Sequence, residues 1–364
     1  MRHGKIGDMT IQKEFWKGKK VFLTGHTGFK GSWLSIWLKH LGVELTGYSL
    51  APPTEPALFN EANVGVGMRS IEADIRDFES LLKAVKESQP EIVIHMAAQP
   101  LVLESYKNPL ETYQTNLMGT VHVLETVRLV KSVKVILNIT TDKCYENKEW
   151  LWPYREDEPM GGFDPYSNSK GCSELITFAY KNSFFNPEVY QEHGVSIATA
   201  RAGNVIGGGD WACNRLIPDI MRAIVKSESV VIRNPKSIRP WQHVLGPLSG
   251  YLKLIEMLYI HGKSYNGAWN FGPKQEDARE VSWIAEYVTM AWGNGAGWVK
   301  DDRTYGHEAT YLKLDTSKAN SLLGWSCKWD LSEALDNIVE WYKVFVAKEN
   351  VELIILNQIN HYSK

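Results

Sequence analysis

Apolar positions along the chain fall by turns into short runs and helical stripes. Val21-Phe22-Leu23 form a run inside residues 20–24 that ends in a glycine-rich turn. Residues 32–41 then place Trp33, Leu34, Ile36, Trp37, Leu38 and Leu41 at helical spacing, with Gly42 as the stop. That order predicts strand, turn and helix. Residues 43–50 read as the next strand, 78–86 as a helix and 91–95 as another strand. Leu110, Tyr113, Leu117, Val121, Leu124 and Val127 mark one face of a long helix, followed by a β-branched strand at 133–139, a helix at 169–180 and a strand at 195–199. Such alternation implies βαβ units, hence an α/β fold with a doubly wound parallel sheet of Rossmann type, covered on both faces. After Arg201 the pattern is interrupted by Gly207-Gly208-Gly209 and by isolated Trp and Pro residues. Shorter elements and a second, smaller mixed α/β region are expected there.

The chain has 364 residues, and 44% hydrophobic with 23% charged positions at a net charge of -2 is the profile of a globular protein. A basic nucleic-acid binder is disfavoured, so no nucleic-acid partner is expected. Cys144, Cys172, Cys213 and Cys327 are too scattered for a CxxC redox pair or a zinc site. That points to no metal and a reducing, cytoplasmic setting. Arg2, His3 and Lys5 precede no apolar core, so residues 1–14 are expected to be a disordered tail. No run approaches the roughly 20 apolar residues of a membrane span. The 14 Trp are many for this length, and Trp150, Trp152, Trp211 and Trp241 sit singly in loop-like segments, as core fillers or as platforms for a sugar.

Candidate chemistry begins at the first turn, Gly25-His26-Thr27-Gly28-Phe29-Lys30-Gly31. This GxxGxxG spacing between a strand and a helix permits a tight turn, close backbone approach to a pyrophosphate and a helix N-terminus facing the phosphates. A dinucleotide site is expected across Gly25, Thr27, Gly28, Phe29, Lys30 and Gly31. The acidic residue that commonly ends the second strand and holds the ribose is missing, because Tyr48-Ser49-Leu50 stands there. The choice between NAD and NADP is therefore open locally. Asp74-Ile75 suit an adenine edge, or simply a solvated loop; Ala97-Ala98-Gln99 put small residues where a strand end would meet a cofactor, or where plain packing wants them. Tyr166 and Lys170 lie four apart at a helix start and so share a face. Thr140-Thr141-Asp142-Lys143 end the strand before them. An ammonium stabilises phenolate, so Lys170 is expected to lower Tyr166 from about 10 towards working pH and make it a base for a sugar hydroxyl.

The glycine turn, Ala97-Ala98-Gln99, Asn116, Thr141, Tyr166 and Lys170 together resemble the extended short-chain dehydrogenase/reductases that modify nucleotide sugars with a resident nicotinamide cofactor. Gly25 to Leu34, Thr141 to Tyr145, Gly203 to Trp211 and Arg239 to Val244 resemble the 4,6-dehydratases among them, over residues 15–343. The resemblance implies an NAD-binding domain at 15–203, with 241–265 returning to it, and a nucleotide-sugar domain at 204–240 and 266–355. It implies NAD as cofactor, with Asn116 at its site, and CDP-glucose as substrate. Residues read physically do not distinguish cytosine from other bases. The implied reaction oxidises C4, eliminates water across C5 and C6 and returns the hydride to C6, a first step towards deoxysugars of surface polysaccharide. Relatives carry Thr-Asp-Glu where this chain has Thr141-Asp142-Lys143. Asp142, protonated, keeps the role of acid at O6; Lys143 is assigned as C5 base, which requires desolvation to neutralise it, or else only orients Asp142 or the substrate. Asn204, Arg215 and Arg239 match positions that grip the diphosphate, with Arg233 and His307 as weaker candidates. A homo-oligomer, dimer or tetramer, through helices at 110–131 and 169–180 is also implied. A 4-epimerase, which needs Tyr166 and Lys170 but no elimination pair, and a silent NAD(H) sensor are the competing functions.

Overall fold

Seven strands, Lys20–Thr24 (β1), Glu44–Ser49 (β2), Arg69–Glu72 (β3), Ile92–His95 (β4), Val135–Thr140 (β5), Ser196–Arg201 (β6) and Gly267–Asn270 (β7), form one sheet in the order β7-β6-β5-β4-β1-β2-β3. Every neighbouring pair is parallel. The structure is a computed structural model and describes residues 10–293, 295–301 and 312–364. Successive residues of a strand point to opposite faces. Val21 and Leu23 of β1 accordingly join one apolar cluster and Phe22 the other, and β4 divides in the same way, Ile92 and Ile94 against Val93. Both faces are buried, which is why β4 and β5 read as mainly apolar runs and why even Ser196, Thr199 and Arg201 of β6 are buried.

Helices Phe29–His40 (α1), Phe78–Ser88 (α2), Gly119–Leu129 (α3) and Pro165–Ser183 (α4) alternate with the strands. α1 packs on one face of the sheet while α2 and α3 cover the other. α1 starts three residues before the expected position, because extended Gly28 is its N-cap and Phe29, Lys30 and Gly31 form the first turn. The long helix expected around residues 110–127 is present, with its middle turn widened. Pro109–Tyr113 runs into a π-helical stretch at Gln114–Met118 before α3 resumes, and such bulges are characteristic of functional neighbourhoods.

Beyond residue 201 the expectation of shorter elements is corrected. Leu216–Val225 (α5) is followed by Leu245–His261 (α6), Leu331–Val346 (α7) and Val351–Ser363 (α8), and α6 is 17 residues long. α6 is buried on nearly all sides from Leu245 to Leu258, so it has no polar stripe to give it away. The boundary drawn at 266 moves as well, since β7 belongs to the main sheet beside β6. Of the expected N-terminal tail, residues 1–9 lie outside the described residues. Residues 10–14 are placed: Lys13–Trp16 is one helical turn, and Gln12 N donates to Glu256 Oε1 at 2.9 Å. Among the described residues no helix is long and apolar enough to cross a membrane, and no His, Cys, Asp or Glu cluster could hold a metal.

Three histidines are buried where protonation is disfavoured. Burial lowers His26 to about 4, against a hydrogen bond to the Tyr48 carbonyl; burial, helped by the charge of Lys170, lowers His95 to about 3, and burial lowers His243 to about 3. Below about 6.5 the unfolded chain therefore binds protons that the folded chain refuses, and stability falls with pH until the folded values are reached. Each histidine contributes up to about 1.4 kcal/mol per pH unit across that window. Urea midpoints measured from pH 7 to pH 5 should fall steeply; a flat profile would show that these rings accept protons in place.

Candidate active site

The carboxyl ends of β1, β2, β4 and β5 open onto one cavity of about 800 Å³. It lies at the point where the strand order reverses between β1 and β4, the ligand position of open α/β sheets. The β1–α1 turn offers bare backbone to it. Gly25 has φ +78°, and a Cβ there would stand 2.7 Å from Ala97 N; a Cβ on Gly31 would overlap the Gly25 carbonyl. Only glycine fits either place. Gly25, Thr27, Gly28, Phe29, Lys30 and Gly31 all line the cavity, and the unpaired N–H groups of the first turn of α1 make the cradle a diphosphate requires. Thr27 Oγ1 bonds Ser49 Oγ at 2.8 Å and donates to Leu50 O at 2.9 Å, tying the glycine turn to the end of β2.

Ile75, Ala97 and Ala98 line the wall, as does Asp74. The Asp74 carboxylate is occupied by Arg76, whose hydrogen bonds hold it below its usual range. Gln99 and Asn116, expected at the cofactor, are not on the wall. Asn116 is buried, accepts from Gln99 N at 2.8 Å and donates to Ser169 Oγ at 2.9 Å; Gln99 Nε2 donates to Thr112 Oγ1 at 2.9 Å and to Leu101 O at 3.1 Å. Together they brace the π-helical stretch and α4 behind the cavity.

The reacting groups converge from β5 and α4. Asp142–Cys144 is a 3₁₀ turn at the end of β5, capped by Thr141. Thr141 and Asp142 are buried; Thr141 Oγ1 donates to Asp142 Oδ1 at 2.9 Å. A side chain at position 203 would collide with the Asp142 carboxylate, so Gly203 is what admits it. Lys143 is exposed and lines the cavity, so the chain alone supplies little of the desolvation its expected role needs. α4 begins at an Asp164 cap that accepts from Ser167 N at 2.9 Å, which sets Tyr166 and Lys170 on the cavity side.

The expected lowering of Tyr166 by Lys170 is corrected. Burial pushes Tyr166 up to about 12, against hydrogen bonding from Thr141 and the charge of Arg215, with Asp142 adding to the rise. Lys170 is itself lowered by burial to about 8, and its ammonium donates to Ile139 O at 3.1 Å. Its charge is thus committed to the strand end. Burial likewise lowers Lys30 to about 8, helped by Lys170 and Arg215 and opposed by Asp142.

Asn204 and Arg215 line the cavity, with Asn204 at φ 51° and Arg215 Nη1 3.0 Å from Asp210 Oδ2. Arg233 and Arg239 are half-buried but not on the wall; Arg239 lies in a strand at Ile238–Pro240 and donates to Ile238 O at 3.0 Å. His307 falls outside the described residues. Of the wall from Asp210 to Pro218, the sequence announced Trp211 and Arg215 but not the rest, including exposed Cys213. Trp211 and Trp241 are both core and wall, 6% and 9% exposed. The available signal was Gly207-Gly208-Gly209, where bulk at Gly208 would strike the Trp341 ring.

A glycine cradle at a parallel-sheet switch point, joined to a Tyr–Lys pair and a Thr-Asp-Lys turn, is the setting of a dinucleotide-dependent enzyme, and the chain belongs to the GDP-mannose 4,6 dehydratase family, whose model matches residues 22–338. Within it, the chain is 56% identical over 352 residues to CDP-glucose 4,6-dehydratase of Salmonella typhimurium, covering 97% of this chain and 98% of that one. It is 25% identical over 342 residues to a probable dTDP-glucose 4,6-dehydratase of Sinorhizobium fredii, covering 89% and 92%. In fold it resembles DesIV, a dTDP-glucose 4,6-dehydratase from Streptomyces venezuelae solved with NAD and TYD bound, at TM-score 0.76 and 19% identity over 91% of this chain and 99% of that one.

Proposed function

We propose that the chain is a CDP-glucose 4,6-dehydratase that holds NAD and converts CDP-D-glucose to CDP-4-keto-6-deoxy-D-glucose with loss of one water. The observation that carries this is the elimination pair, Asp142 and Lys143, set in one cavity with Tyr166, Lys170 and Thr141, in a chain so close to a protein named for that reaction. An epimerase has no use for the pair, and a sensor none for the Tyr and Lys.

NAD, held in this cavity, would supply the acceptor for the C4 hydride and the donor that returns it to C6, as Lys143 gives back to C5 the proton it took. Gly25, Gly28, Gly31 and the first turn of α1 hold its diphosphate. Tyr166, as phenolate, removes the proton of the C4 hydroxyl, and Thr141 beside it favours the ionised phenol. The ketone left at C4 acidifies C5. Lys143, covered by the sugar, takes the C5 proton, while Asp142 gives a proton to O6, so the C5 hydrogen and the C6 hydroxyl leave in balance as C5=C6 forms. Asn204 and Arg215 face the substrate diphosphate, where a guanidinium offers paired charge-assisted bonds.

The test incubates the protein and NAD separately with CDP-glucose, dTDP-glucose, UDP-glucose and GDP-mannose and follows product mass. Loss of one water from CDP-glucose alone is expected. Unchanged mass with UDP-glucose converted to its 4-epimer would overturn the reading in favour of an epimerase. The same reading includes a homodimer through α4 and the helices beside it, where Leu110, Leu175 and Phe178 are 71%, 57% and 61% exposed, since contiguous exposed apolar groups mark interaction surfaces. Sedimentation should give the mass of two chains; one chain's mass would exclude the dimer.

A further inference from the structure

Behind the Asp142–Cys144 turn runs a chain of buried polar groups that the reaction steps above do not use. Glu174 of α4 accepts from Arg201 at the end of β6, Nε to Oε1 at 2.9 Å and Nη2 to Oε2 at 2.8 Å, and from Thr199 Oγ1 at 2.7 Å and Thr140 Oγ1. The third nitrogen, Arg201 Nη1, donates to Tyr145 Oη at 2.6 Å and to Glu156 O at 3.0 Å. Tyr145 Oη passes its own proton to Asn270 Oδ1 at 2.8 Å, and Asn270 Nδ2 donates to Tyr154 O at 2.9 Å and Asp315 O at 3.1 Å. Glu174, Arg201, Tyr145 and Asn270 are all buried, Asn270 at 0% exposure. The line therefore runs from α4 through β6 and the turn to β7 and on to the segment at 312–315.

The turn is tied down at both ends, and at its far end Gly161 N also donates to Cys144 O at 2.8 Å. Its start, Thr141, is carried by β5, and its end is Tyr145, whose ring lies under the Arg201 guanidinium at 4.8 Å and stacks on Tyr154 at 5.2 Å. Asp142 and Lys143 sit between. The Tyr–Lys pair is held by other means: Tyr166 by the Asp164-capped start of α4, Lys170 by Ile139 O. The Tyr145 hydroxyl is the side-chain tie at the far end of the turn, beside the backbone bond at Cys144, and none of the bonds that hold Tyr166 and Lys170 passes through it.

Resting on the dehydratase reading, we propose that Tyr145 and Asn270 are positioning residues for the elimination half of the reaction, fixing Asp142 and Lys143 without bearing on proton transfer at C4. Their loss separates two steps that otherwise run together. A displacement of about 1 Å in a reacting group costs on the order of 100-fold in rate, so Tyr145→Phe should slow water loss about 10- to 100-fold while oxidation at C4 continues.

The experiment quenches CDP-glucose turnover with acid, at enzyme comparable to substrate and with NAD supplied, and reads nucleotide-sugar masses for the unsubstituted protein, Tyr145→Phe and Asn270→Ser. The variants should accumulate a species lighter by two hydrogens, the 4-keto hexose with its water still aboard; the unsubstituted protein should yield only the species lighter by one water. The ratio of the two does not depend on how much variant folds, so reduced stability does not mask it. Water loss at the original rate, or slowing of both steps by one factor without the keto hexose, overturns the proposal. If the unsubstituted protein itself leaves CDP-glucose unchanged, it is the dehydratase reading that has failed.

Discussion

Tyr166→Phe should fold, take up NAD and lose turnover by about 100- to 10,000-fold, the range over which a positioned general acid or base acts. The ring keeps its packing at the start of α4, and the Asp164 cap and the bond from Lys170 to Ile139 O do not involve the hydroxyl. What goes is the single oxygen that takes the C4 proton. Calorimetry should show NAD binding retained while water loss from CDP-glucose almost ceases. Activity within tenfold of the parent would move the base elsewhere. Since burial holds Tyr166 at about 12 in the chain alone, activity should rise with pH through the neutral range, as the phenolate fraction grows.

Arg201→Met should be the most destabilising single change. Glu174 and Arg201 are each about 4% exposed in their side chains. Burial pushes the Glu174 carboxyl up, yet the charge and bonds of Arg201, with those of Thr140 and Thr199, keep it below its usual range. Without the guanidinium an unpaired carboxylate remains in the core, a loss of about 3–5 kcal/mol. Two further results are expected. In the variant Glu174 should titrate above its unfolded value, so the deficit is full at neutral pH and shrinks as acid protonates the carboxyl. The double change to Met at both positions should recover much of the loss, because a buried pair can be replaced by apolar groups at little net cost. Urea midpoints of the three proteins at pH 7 and pH 5 decide the matter.

The first half of the molecule was legible because its signals are local. The run at β1, the glycine turn and the stripe of α1 follow one another within about twenty residues, and the spacing of Tyr166 and Lys170 announces a shared helix face. What escaped was set by distance or by uniform burial. α6 shows no amphipathic stripe because it has almost no wet side. The line from Glu174 to Asn270 joins residues as far apart as Tyr145 and Asn270, 125 positions along the chain, and no periodicity links them. Gln99 and Asn116 illustrate the converse: a family pattern locates them near the cofactor, while their bonds to each other, to Thr112 and to Ser169 make them braces. The upward push of burial on Tyr166 in the chain alone was not legible, because spacing reveals which groups are neighbours, whereas burial decides how strongly each resists ionisation.

The chain leaves the sheet at Arg201 and comes back to lay Gly267–Asn270 against β6. The outer edge of β6 therefore stays bare until some seventy further residues have been made, and the ribosome will have released most of the nucleotide-binding half before its last hydrogen-bonded row can close. A fragment ending near residue 203 would carry an open strand edge whose residues are all buried in the whole protein, the kind that seeks another chain. The two halves of this protein are thus inseparable as units of expression or exchange: swapping substrate regions between relatives requires a junction that carries β7 along with the half that begins at β1.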